Sequence, residues 1–317
     1  METKEEIMRV IKVMIFLSVV LLIQSCQESI VLDTVSEGPE YVIEGFVEAG
    51  EGSMQAYVLI SESIPFLSEI SGDALSELYV KGAEVDISDG DQTIRLTELC
   101  LSDLPEEFQE EIGMQLGVNT DSLTFDYCLY LDVFDQLNRD FGRTYNLRIR
   151  IGDHEITAET TIPELVPADS IWFTEVPGDP IDSLAQLWMN IDDPVGPNFY
   201  RYFTDDGSGR LATSPFGSIT DDVFFDGQDF DFPLTKGAQR GAPSDPATFG
   251  FFAVADTTTM KWCSIDAEHY DFWFTYEFNL NNQGPFASYT RVNHNVEGAI
   301  GIFGGLAVDL QRLVVEK

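Results

Sequence analysis

From Tyr41 onward the chain is written in short segments that alternate apolar and polar residues, each closed by a turn dipeptide. Successive side chains of a strand point to opposite faces, so a period of two buries one face, wets the other and dictates sheets. Ala83-Glu84-Val85-Asp86-Ile87-Ser88 alternates cleanly, and Asp89-Gly90 supplies the positive φ angles of a tight hairpin into residues 93–97. Residues 41–47, 55–61, 127–133, 145–151 and 155–160 carry β-branched and aromatic side chains interleaved with polar ones. One stretch breaks the rhythm: Ser102-Asp103-Leu104-Pro105-Glu106-Glu107 reads as a helix start, with Leu104, Phe108, Ile112 and Leu116 recurring every four residues and Gly117 as its stop. Residues 40–166 therefore predict an immunoglobulin-like β-sandwich with one short inserted helix.

Pro163 and Pro167 cannot continue a central strand and mark a domain boundary. Beyond it, residues 167–317 predict a second β-rich domain, with strands at 170–174, 184–191, 199–204, 249–254, 270–280 and 299–306. The low-periodicity stretch 205–248 is a long loop of functional or mobile character. The whole body is expected to be all-β.

Ahead of it, Arg9 and Lys12 precede an apolar run at 13–23 that is too short to cross a bilayer but fits the core of a secretory signal. Residues 1–7 are net acidic, a poor signal start, which points to translation from Met8. Leu22-Ile23-Gln24-Ser25-Cys26 then resembles a bacterial lipobox, which assigns residues 1–25 to a lipoprotein signal, Cys26 to acylation and 26–39 to a tether; the alternative is a plain signal peptide with an incidental Cys.

With 17 Lys+Arg against 55 Asp+Glu, the net charge of −38 repels nucleic-acid phosphates. No Cys-x-x-Cys, His-Glu-x-x-His, Gly-x-Ser-x-Gly or phosphate-loop motif occurs, so no enzyme class is invited. The three histidines, His154, His269 and His294, lie in separate segments and read as ordinary surface or half-buried residues. Once Cys26 is set aside, Cys100 and Cys128 share the first domain and either form a disulfide or remain buried thiols, leaving Cys263 over. Asp221, Asp222, Asp226, Asp229 and Asp231 could together offer Ca²⁺ its oxygen ligands, although the spacing fails the EF-hand pattern; a hairpin turned at Asp226-Gly227, with Phe225, Gln228 and Phe230 on one side, accounts for the segment more simply. The aromatics Trp262, Trp273 and Tyr276 serve the core or a sugar-stacking platform, the core being the simpler reading.

Several strings resemble one family. They are the lipobox, Gly142-Arg143-Thr144-Tyr145-Asn146-Leu147-Arg148-Ile149, Ala158-Glu159-Thr160-Thr161-Ile162-Pro163, Asn198-Phe199-Tyr200-Arg201-Tyr202 and, above all, the run from Asn295 to Gly304 with its Asn-x-x-Gly-x-x-Gly-x-Phe-Gly pattern. Together they are similar to the Bacteroidetes lipoproteins of domain-of-unknown-function family 4249; Ala299 departs from a position where members often carry Gly. The resemblance implies a β-rich lipoprotein of the outer membrane, on its cell-surface or periplasmic side, encoded beside a TonB-dependent receptor and without enzymatic activity. On that footing the expected function is an accessory one, binding the receptor, its nutrient substrate or both. The alternative is a calcium-binding adhesin or metal-assisted enzyme built on the Asp-rich loops.

Overall fold

The computed structural model describes residues 40–64, 78–105, 108–110, 126–176, 183–239, 248–282 and 291–317. Alternation in the N-terminal half yields β1 (Tyr41–Glu51), β2 (Tyr57–Glu62), β3 (Glu84–Ser88), β4 (Thr93–Arg95), β5 (Thr97–Cys100), β6 (Cys128–Leu131), β7 (Thr144–Ile151) and β8 (His154–Thr161). The hairpin read at Asp89-Gly90 is present, with Gly90 at φ 89° and Asp89 capping the turn amides of Asp91 and Gln92. Of the helix expected after Ser102, a 3-10 turn at Leu101–Asp103 and helical residues 108–110 are described, and the remainder lies outside the described residues, as do Cys26, its signal and the tether.

The C-terminal half adds β9 (Ser170–Glu175), β10 (Leu184–Asp192), β11 (Phe199–Asp205), β12 (Leu211–Ala212), β13 (Ile219–Asp221), β14 (Asp229–Leu234), β15 (Phe252–Ala253), β16 (Thr257–Ile265), helix α1 (Ala267–Asn281), β17 (Val296–Glu297) and β18 (Ile300–Val314). The chain is all-β apart from its short helical pieces. The strands among the described residues form three sheets. The largest runs β12-β11-β16-β18-β1-β2-β6-β5, with β13 also on β11; a second runs β17-β8-β7-β3-β4; a third gathers β9, β14 and β15 around β10.

The two smaller sheets pack against different halves of the large one. Val85, Ile87, Leu147 and Ile149 meet Ile43, Val47 and Val58 in one core, and Leu187, Met189 and Ile191 meet Tyr200, Met260 and Trp262 in another. The large sheet is continuous across the division expected at 166/167. β18 lies parallel to β1 and antiparallel to β16, and Val296, Phe303 and Ala307 belong to the N-terminal core.

Three expectations are corrected. The stretch 205–248, expected as a long loop, carries β12, β13 and β14 among its described residues. Residues 270–280 are helical, because Asp266 caps the segment by accepting from the His269 amide and Glu268 sits in its first turn. As a strand, Tyr270, Phe272, Phe274, Tyr276 and Phe278 would share one face; as a helix, Tyr270, Trp273 and Glu277 turn toward the sheet while Phe274 and Phe278 stay exposed. The hairpin at Asp226-Gly227 is also absent. β13 joins β11 and β14 joins β10, so the segment between them crosses from one sheet to another through successive turns (Phe225 N to Asp222 O at 2.7 Å, Gln228 N to Phe225 O at 2.9 Å). The Phe225–Phe230 stack expected of it is kept, with ring centroids 4.8 Å apart.

Candidate functional site

On the face of the large sheet that carries α1, the alternation of four strands sends Glu44, Phe46 and Glu48 of β1, Arg201 and Phe203 of β11, Lys261 of β16 and Leu306 of β18 to the same side. Together with Trp273 from α1 they line a cavity of about 130 Å³. Its unusual member is Arg201, only 4% exposed. The guanidinium carbon lies 3.5 Å from the centre of the Trp273 ring and 4.7 Å from that of Phe203, held by their π faces. Its Nε donates to Ser218 Oγ at 3.4 Å, and Ser218 in turn donates its hydroxyl and amide to Glu277 at 2.5 and 3.1 Å. Among the described residues no carboxylate oxygen lies within 4.0 Å of the guanidinium. Burial pushes the Arg201 pKa down to about 10, against the upward pull of Glu277 and weaker neighbours. Lys261, by contrast, is fully matched: its ammonium meets Glu48 at 2.5 Å, and Glu48 also accepts from the Met54 amide.

Trp273 Nε1 is buried without a partner. Trp273 is thus neither plain core nor an open sugar platform; it is a lid over a cation. Trp262 is core, fully buried, with Nε1 donating to Val166 O. Tyr276 stacks on Phe272 along α1.

The five aspartates read as one calcium set are divided among three places. Asp222 and Asp226 come together, but with Asp193: one carboxylate oxygen from each lies within 4.8 Å of the others. Asp221 accepts from Tyr270 Oη at 3.1 Å, and Asp229 and Asp231 both accept from Asn190 Nδ2 on β10. Within the triad, Asp193 accepts from Tyr200 Oη and Gly227 N, Asp222 from Asn198 N, and Asp226 from Gly196 N. These bonds stitch the 193–198 loop to the 222–228 turns. Burial, helped by the charges of Asp222 and Asp226, raises the Asp193 pKa above the usual carboxylate range.

Cys100 and Cys128 face each other on β5 and β6 and are joined by a disulfide. Cys263 is a buried free thiol whose pKa burial pushes up to about 12, which keeps it unreactive. Each histidine ring is engaged by a backbone carbonyl: His154 by Gly298 (2.7 Å), His269 by Gly305 (3.2 Å) and His294 by Val296 (3.0 Å). A further concavity, about 810 Å³, lies over the outer face of β7 and β8, with Arg148, Glu159 and Asn295 on its walls.

Arg201 was not singled out from the sequence as a site residue. A signal exists: in Phe199-Tyr200-Arg201-Tyr202-Phe203 the Arg falls in phase with two aromatic residues, which places a cation on an apolar face.

No curated protein matches the chain. The Domain of unknown function (DUF4249) family matches it over residues 27–312, nearly its full length, and the chain belongs to that family.

Proposed function

We propose that this protein is a lipid-anchored accessory protein of the outer envelope that works beside a TonB-dependent receptor and binds the receptor, its nutrient substrate or both, without catalysing a reaction. Its first body would be an immunoglobulin-like sandwich, and acylation at Cys26 would hold it at the membrane. The observation that carries the reading is a cavity furnished for binding: a stacked guanidinium beside apolar walls. The calcium reading has less support, since the triad's oxygens already serve the chain's own donors.

The test is co-purification. A tagged full-length protein extracted in mild detergent should carry acyl groups on Cys26 by intact mass and retain a large outer-membrane receptor. An unmodified Cys26, or repeated recovery of the protein without any receptor, refutes it.

A further inference from the structure

Arg201 presents an imbalance that the fold itself does not resolve. A buried cation is tolerated when it is paired and its donors are satisfied. Among the described residues the guanidinium makes one side-chain hydrogen bond, from Nε at a long 3.4 Å; Glu277 is reached only through Ser218, and Glu44 on the same lining acts on it from beyond ion-pair distance. The Nη groups of a guanidinium form a planar fork that matches a carboxylate. The cavity Arg201 lines is half apolar, with Phe46, Tyr57 and Leu306 on its walls, and its other cation, Lys261, is already neutralised by Glu48. Its volume of about 130 Å³ holds the equivalent of roughly four waters, which suits a short organic acid.

We infer that the cavity between Arg201, Trp273 and the sheet binds a small organic carboxylate, with the carboxylate on the guanidinium fork and a short alkyl tail against Phe46 and Leu306. Glu44 lines the same cavity and is a carboxylate that can accept from a ligand ammonium, so a free α-amino acid and a simple fatty acid are the two sources of the same chemistry. The inference goes beyond the receptor reading and stands apart from it, because a protein that never meets a receptor would still bind the acid.

The experiment titrates the purified full chain with butyrate, 2-aminobutyrate and butyramide, following ligand-observed NMR and tryptophan fluorescence, which reports the Trp273 stack. Saturable binding of butyrate or 2-aminobutyrate, with the amide at least tenfold weaker, is expected; preference for 2-aminobutyrate identifies the amino acid as the source, and preference for butyrate the fatty acid. Arg201→Gln should abolish binding. Should that variant fail to fold, Leu211→Trp, which fills the cavity lip and keeps Arg201, should weaken binding at least tenfold with an unchanged melting temperature. No saturation by either acid, equal binding of the amide, or full affinity in a folded Leu211→Trp protein overturns the proposal.

Discussion

Asp266→Ala should be among the most destabilising single changes in this chain outside the apolar cores. One carboxylate oxygen caps α1 by accepting from the His269 amide at 2.8 Å; the other accepts from Thr160 Oγ1 at 2.7 Å and from the Thr161 amide at 3.1 Å, both on β8. Thr160 is buried and its oxygen accepts from the Gly305 amide, so its hydroxyl proton has nowhere else to go. Loss of the cap costs about 1 kcal/mol, and stranding two donors on a charged acceptor adds enough to bring the total to roughly 3 kcal/mol. For a body of this size that is a fall in melting temperature of roughly 5 °C. Urea unfolding followed by tryptophan fluorescence measures it, with the slope expected to stay constant while the midpoint drops. Asp266→Asn keeps an acceptor for the cap and should lose about half as much. A midpoint for Asp266→Ala within about 0.5 kcal/mol of wild type, the range of an ordinary surface change, would refute the claim that this residue ties helix to sheet.

The Cys100–Cys128 bridge closes a loop of 28 residues, so Cys100→Ser with Cys128→Ser should cost about 3.5 kcal/mol of chain entropy, read as the same shift on adding reductant to wild type. At the buried pair, Lys261→Met or Glu48→Leu alone should cost about 3–5 kcal/mol by stranding a charge, whereas Glu48→Leu with Lys261→Met should come back near wild type, a coupling that a double-mutant cycle in urea resolves. Burial, with Arg201's charge second, lowers the His269 pKa to about 4 in the folded chain, so the unfolded chain binds the extra proton between pH 6.5 and 4. Stability is then complete above pH 6.5 and declines as pH falls, by a sum on the order of 3 kcal/mol, and a folded His269→Phe protein should show a shallower decline in urea midpoints. Chelator should leave the melting temperature unchanged; a rise of several degrees with Ca²⁺ that disappears in Asp222→Asn would instead restore the calcium reading.

What the sequence disclosed follows from how each strand is buried. β7, buried on alternate residues, and the β3–β4 hairpin have one wet face, so alternation and turn chemistry expose them directly. β16 is different. Sandwiched between the third sheet and α1, it is buried on nearly every residue and carries Lys261, Cys263 and Ser264 among its apolar ones, so no period of two survives and it was not read as a strand. α1 misled for the opposite reason: aromatic residues every second position imitate a strand, and the capping Asp266 was the quieter signal. The acidic segment at 221–231 was legible as turn chemistry but not as a sheet crossing, because Asp193, the residue that organises it, lies far back in the chain. Arg201 was hidden because a cation in a strand reads as solvent-facing until the strand over it is known to be covered.

The position of α1, and with it the Arg201–Trp273 stack, is decided by side chains that β18 lacks. This strand runs between α1 on one face and β8 on the other, and consecutive glycines serve the two faces in turn. A Cβ on Gly304 would sit 2.6 Å from the His269 ring of α1, and one on Gly305 would sit 2.6 Å from the Thr161 carbonyl of β8. Neither distance admits a methyl, so the helix can settle onto the sheet only because both positions are bare. That close approach is what lets Gly305 accept from His269 and donate to Thr160 while Asp266 grips Thr160 from the other side. With the first turn of α1 pinned there, Trp273 two turns on falls over Arg201, which β11 presents two strands away. The glycine pattern near the C-terminus and the cation in the middle of the chain are thus parts of one arrangement, in which backbone contact at β18 fixes the roof of the cavity.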